Sequence, residues 1–192
     1  MNKNIILCGV GGQGTVLASK LIAAAAMAKG IPVMSAETIG MAQRGGSVFS
    51  HLRLGDDLYS PMIETGTADL ILGFEPGETV RMLSYLKPDG HVVVSLRAIQ
   101  PVTATLQGAS YHGQAMLDYL KQQVSHITFV DGVTACKNIG SPKVLNMVLL
   151  GAALRTGALG LNVDDIKQAM RNTIPERFHD MNLRALDYTG MQ

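Results

Sequence analysis

Apolar residues along this chain come in short unbroken runs, and longer, periodic segments lie between them. Asn4 to Cys8 is such a run ending at Gly9, which predicts a buried strand. Thr15 to Lys29 is rich in Ala, Leu and Ile with Gly30 behind it, a helix with a C-terminal stop. Pro32 to Ala36 reads as a second strand. Ser47 to Leu54 alternates imperfectly, Gly55-Asp56-Asp57 turns, and Leu58-Tyr59-Ser60 returns, so a hairpin is expected over Ser47–Ser60. Ala68 to Phe74 is a further buried strand, and Glu75-Pro76 opens a helix reaching about Leu86. Pro88-Asp89-Gly90 predicts a turn, and His91 to Leu96 a strand.

The pattern weakens from Arg97 to Tyr111. Beyond it a helix is expected over Gly113–Val124 and a strand over His126–Val130. Ser141-Pro142, with Ser as cap and Pro at the first position, opens a helix to Arg155. Asn162 or Asp164 caps another to about Asn172, Pro175 starts the last, and the tail from Tyr188 is expected to fray. Alternating strands and helices predict an α/β fold: a three-layer Rossmann-like domain with a mostly parallel sheet and an antiparallel hairpin excursion. A single domain over residues 1–192 fits the length.

Composition narrows the classes. With 47% hydrophobic residues the chain can build a core, and 5% aromatics with 11 Met make that core aliphatic. Sixteen basic against 15 acidic residues leave a formal charge of +1, which does not point to nucleic acid or an anionic membrane surface. The two cysteines, Cys8 in a buried strand and Cys136, have no metal-ligand spacing. The apolar start lacks a signal-peptide layout, and Val144–Leu154 is interrupted by Asn146 and Gly151 and too short to span a bilayer. A cytoplasmic protein is expected.

Gly9-Val10-Gly11-Gly12-Gln13-Gly14 satisfies G-x-G-x-x-G between a predicted strand and a predicted helix. Glycine allows the tight turn, clears side chains from the helix start, and exposes N–H groups that attract an anion. A nicotinamide or flavin, another anion, a partner loop, or a purely structural turn all fit this pattern. The dinucleotide reading wants an acidic residue about 20 positions on, and Glu37 is later than that. Lys20 lies less than two helical turns past Gly14, so its stem can curl toward a phosphate or stand in solvent. A second cluster, Gln43-Arg44-Gly45-Gly46, sets a forked cation beside a double glycine, suited to a carboxylate, a phosphate or a partner subunit, or equally to a loop arginine standing in water. Glu75 and Glu78 sit where acids favour a helix dipole. The five histidines are scattered, and no complete catalytic set or metal site is present.

Taken together, GVGGQG with TVLASK, SAETIGMAQRGGSVFSHLRLG, YSPMI, ADLILGFEP, YLKPDG and NMVLLGAALR resemble the gamma-type small subunit of 2-oxoacid:ferredoxin oxidoreductases. Ala42–Ser47 and Phe74-Glu75-Pro76 look most like the beta subunit of indolepyruvate oxidoreductase. The resemblance runs to about Gly190. It implies a holoenzyme that oxidatively decarboxylates a 2-oxoacid, captures the acyl group on coenzyme A and passes electrons to ferredoxin. Thiamine diphosphate, magnesium and 4Fe–4S clusters would then belong to larger partner subunits, and this chain, inactive alone, would contribute assembly and part of a coenzyme A site. By that resemblance Gly9, Gly11, Gly12, Gly14, Thr15 and Lys20 lie at the cofactor, with Gln13 where relatives carry an acid and Leu17 where they carry glycine. Gln43, Arg44, Gly45 and Gly46 are assigned to a subunit contact near the thiamine site.

Overall fold

The computed structural model describes residues 1–38, 46–56, 58–100, 111 and 113–189. Six strands form one sheet: β1 (Lys3–Val10), β2 (Val33–Glu37), β3 (Ser47–Leu54), β4 (Ala68–Gly73), β5 (Leu86–Ser95) and β6 (His126–Val130), in the order β2-β3-β1-β4-β5-β6. β1, β4, β5 and β6 run parallel, while β3 is antiparallel to both its neighbours, β1 and β2. The seven described α-helices are α1 (Thr15–Ala28), α2 (Pro76–Met82), α3 (Gly113–Gln123), α4 (Gly132–Ile139), α5 (Leu145–Arg155), α6 (Val163–Thr173) and α7 (His179–Leu186).

Strand alternation sorts the core into two layers. Ile5, Leu7, Leu52, Leu70, Leu72 and Val93 face α1 and α4–α7. Ile6, Cys8, Ile71, Val92 and Val94 face α2 and α3. The three-layer expectation therefore holds. The apolar run Val144–Leu154 is α5, buried on every side, which is why it reads as hydrophobic all round.

The antiparallel excursion is present, but its partner differs from the expected one. β3 pairs with β1 on one edge and β2 on the other, so neither edge is left for Leu58–Ser60, which forms no strand. That segment is tied back instead, with Arg53 Nη1 donating to the Ser60 carbonyl at 2.9 Å. Asp57, the end of the expected turn, lies outside the described residues.

Pro88-Asp89-Gly90 is likewise not a turn between elements. Ala68 and Leu70, two residues apart on β4, pair with Leu86 and His91, five apart on β5. The tripeptide is a bulge inside β5 that carries the strand past this mismatch. The helix begun at Pro76 accordingly ends at Met82, and a 3₁₀ turn, Leu83–Tyr85, leads into β5. α4 was not foreseen, although Asp131 caps its start by accepting from Thr134 N at 3.0 Å and Gly140 ends it in a left-handed conformation. Asn162 caps α6 in a reciprocal capping box with Asp165. At the tail, the Tyr188 carbonyl accepts from Arg155 Nη2 at 2.7 Å, so fraying does not begin there.

Candidate functional site

β1 and β4 are parallel neighbours, yet the helices that follow them go to opposite faces of the sheet: α1 to one layer, α2 to the other. Chains that part in this way leave a crevice beyond the carboxyl ends of the two strands, the usual place for a ligand in open α/β sheets. The glycine turn forms one wall of that crevice and the Phe74-Glu75-Pro76 corner the other.

Within the turn each glycine has its own reason. Gly9 is buried, and a Cβ there would meet Gln13 Oε1 and Phe74 Cβ at 2.7 Å, so its bareness serves packing. Gly12 (φ 95°) has open space around it, whereas Gly14 (φ 86°) is the helix cap and would drive a Cβ to within 3.0–3.2 Å of the Asn146 side chain. Gln13 staples the turn: Val10 N donates to its Oε1 at 2.7 Å, and its Nε2 donates to the Phe74 carbonyl at 2.8 Å. The Gly11 amide is spent on the Gly46 carbonyl at 3.0 Å.

The amides of Gly12, Gly14, Thr15, Val16 and Leu17 find no partner among the described residues. No acidic side chain sits in the first turn of α1 to offset them. Nothing within the first turn of α1 offsets the positive end of its dipole. Thr15 is buried, and Lys20 is exposed.

The second wall holds two buried carboxylates. Glu75 caps α2, taking Glu78 N at 2.9 Å on Oε2 and the Tyr111 hydroxyl at 2.5 Å on Oε1. Gly77 N donates to Tyr111 Oη at 3.1 Å, closing a small network. Burial, and donation to Glu75, push the Tyr111 hydroxyl well above the ordinary phenol range. Glu78 accepts from Ser47 Oγ at 2.5 Å and lies 3.5 Å from Arg81. The bland reading of Glu75 as a helix-start acid is right, but the carboxylates also hold Ser47 and Tyr111 against the corner. Cys8 is fully buried and its thiol is pushed far up by desolvation, so it is core filler and no nucleophile.

The profile of the pyruvate ferredoxin/flavodoxin oxidoreductase family matches residues 4–191. This chain belongs to that family. It is 36% identical to the indolepyruvate oxidoreductase subunit IorB of Pyrococcus horikoshii over 96% of this chain and 92% of that one. Among solved structures, the gamma subunit of a keto/oxoacid ferredoxin oxidoreductase from Geobacter sulfurreducens shares the fold at a TM-score of 0.68 and 23% identity, covering 96% of this chain and 94% of that one. The 2-oxoglutarate:ferredoxin oxidoreductase of Magnetococcus marinus shares it at 0.72 and 19% identity, over 97% of this chain but only 30% of that longer one.

The arrangement in this family member argues against the nicotinamide alternative. A dinucleotide fold needs the second strand beside the first, so that its terminal acid reaches the ribose. Here β3 is inserted between them, and Glu37 ends an edge strand two strand spacings, roughly 10 Å, from β1. Of the second cluster, Gln43, Arg44 and Gly45 lie outside the described residues, while Gly46 supplies the carbonyl that holds Gly11. Sequence reasoning singled out the turn but missed Asn146 and Tyr111. Both come from distant segments, and only the Asn interrupting the apolar run hinted at a buried polar role.

Proposed function

We propose that this chain works as the small subunit of a 2-oxoacid:ferredoxin oxidoreductase, with an aryl pyruvate such as indolepyruvate as substrate class, and contributes assembly surface and part of the coenzyme A site. The holoenzyme would oxidatively decarboxylate the 2-oxoacid to an acyl-CoA and pass electrons to ferredoxin in the cytoplasm. Coenzyme A, when bound, supplies the thiol that carries off the acyl group. The IorB relatives support the substrate class, and the Magnetococcus enzyme, solved with 2-oxoglutarate, coenzyme A and succinyl-CoA bound, supports the cofactor.

One observation carries the site: the first-turn amides of α1 at the crevice between β1 and β4 have no partner among the described residues, and no acid stands in that turn. Phosphate oxygens fit that donor set. Gly12, Gly14 and Thr15 would give backbone donors, the Gly11 amide being held by the Gly46 carbonyl; Lys20 would curl its ammonium toward the same phosphates, and Gln13 would keep the turn in shape. Thiamine diphosphate, magnesium and 4Fe–4S clusters would sit on larger partners, because two cysteines cannot furnish the four thiolates of such a cluster. Gln43, Arg44, Gly45 and Gly46 would meet those partners.

Lys20→Ala in the reconstituted complex tests the site. The expected result is a KM for coenzyme A raised roughly tenfold, the loss of one charge-assisted contact, with the KM for the 2-oxoacid unchanged. An unaltered dependence of rate on coenzyme A removes Lys20 from the site and leaves the turn a structural element.

A further inference from the structure

A second cleft, of about 580 Å³, opens at the same edge of the sheet, beyond β5 and β6. Its size lies inside the roughly 300–1,000 Å³ usual for small-molecule sites. It is lined by Arg97, just past β5, by Gly132, Val133, Cys136 and Lys137 of α4, and by Leu145 at the start of α5, among others. Arg97 and Lys137 are both exposed, and neither forms an ion pair among the described residues. The backbone around them is built firmly: Arg97 N donates to the buried Ser95 Oγ at 3.2 Å, and a Cβ on Gly132 would meet Leu145 Cδ1 at 2.3 Å. Asp131, the acid closest to the cleft in the chain, is turned to its own helix, accepting from Thr134 N at 3.0 Å and from the Thr134 hydroxyl.

This cleft and the glycine turn meet the same stretch of chain. Leu145 lines it, and the next residue, Asn146, is the one against Gly14 of the glycine turn. Two anion-friendly surfaces of different character therefore lie on either side of the start of α5. One offers backbone amides, suited to a diester-like pyrophosphate that shares its charge over several oxygens. The other offers two exposed cations, suited to a phosphomonoester carrying nearly two charges at neutral pH. Coenzyme A has both groups, a pyrophosphate and a 3′-phosphomonoester on the adjoining ribose.

We propose that the cleft between Arg97 and Lys137 holds the 3′-phosphomonoester end of coenzyme A while the glycine turn holds its pyrophosphate; this rests on the coenzyme A reading of the turn given above. Comparing coenzyme A with 3′-dephospho-coenzyme A in the reconstituted complex tests it. The wild-type complex should favour coenzyme A by roughly 10- to 100-fold in kcat/KM, the worth of one or two charge-assisted contacts. Arg97→Ala combined with Lys137→Ala should bring coenzyme A down to the level of the dephospho form, whose own kcat/KM stays where it was. Arg97→Lys with Lys137→Arg should restore most of the preference, which a merely structural lesion would not allow. A wild-type complex that does not discriminate, or a doubly substituted one that discriminates as before, overturns the proposal. If discrimination survives while Lys20→Ala still raises the KM for coenzyme A, the cleft assignment alone falls. If neither substitution alters the use of coenzyme A, the reading of the turn falls with it.

Discussion

Gln13 joins the end of β1 to the end of β4 with a single side chain, accepting from Val10 N and donating to the Phe74 carbonyl. Next to it, Gly12 and Gly14 share a left-handed backbone but differ in surroundings. Ala at either position carries the cost of that backbone, about 1–2 kcal/mol. Gly14→Ala must also displace Asn146, so it should lose more stability than Gly12→Ala in chemical denaturation, and equal losses would mean that Asn146 yields freely. His51 makes a different residue-scale prediction. It is buried, with Nδ1 accepting from Ile63 N at 3.0 Å and its ring edge-on to Phe49 and Tyr85, and its Nε2 has no partner among the described residues. Burial lowers its pKa from 6.5. The native state keeps the ring neutral while the unfolded chain takes up a proton, so stability is full above 6.5 and declines as pH falls below it. His51→Gln should flatten the fall in melting temperature between about pH 7.5 and pH 5. A part of the slope will remain, since His91 is also lowered, by burial first and then by His126, Lys3 and Lys87.

At the scale of elements, the close contacts are made by glycines that local pattern marks only as interruptions. Gly151 breaks the apolar run of α5, and a Cβ there would come within 2.1 Å of the Leu186 carbonyl at the end of α7. Backbone cannot swing aside as a side chain can. Gly151→Ala should therefore push the two helices apart at a cost of roughly 1–3 kcal/mol, read as a lowered denaturation midpoint with an unchanged slope. An Ala tolerated without loss would show that α7 docks loosely. Most strands and helices and the α6 cap were legible because each depends on local spacing and capping chemistry. The Ser47–Ser60 hairpin and the Pro88-Asp89-Gly90 turn were misread because the same residue types serve a strand with both edges occupied and a bulge inside a longer strand. α4 escaped because Asp131-Gly132 looks like a turn as readily as a helix start.

For the molecule as a whole, division of labour is the main expectation. The chain matches 30% of the length of the Magnetococcus oxidoreductase chain and has two cysteines, one of them sealed in the core. Purified by itself it should give no oxidation of a 2-oxoacid with ferredoxin or a dye as acceptor. Activity should appear only on adding a larger thiamine-binding subunit, and turnover by the isolated chain would end the subunit reading. No described helix is long and apolar enough to cross a membrane.

The sequence by itself determined the alternation of strand and helix, the bare turn after β1, and the family. Periodicity, caps and motif spacing are properties of neighbouring residues, so one chain read in order displays them. Only the tertiary structure decided that β3 slips between β1 and β2, carrying Glu37 away from the turn, and that α1 and α2 part to opposite faces, opening the crevice. It alone brought Asn146, Glu75, Ser47 and Tyr111 to the edge of that crevice. Strand order and layer choice are settled by which buried faces fit together across the whole sheet, a competition between segments far apart in the chain that no local pattern records.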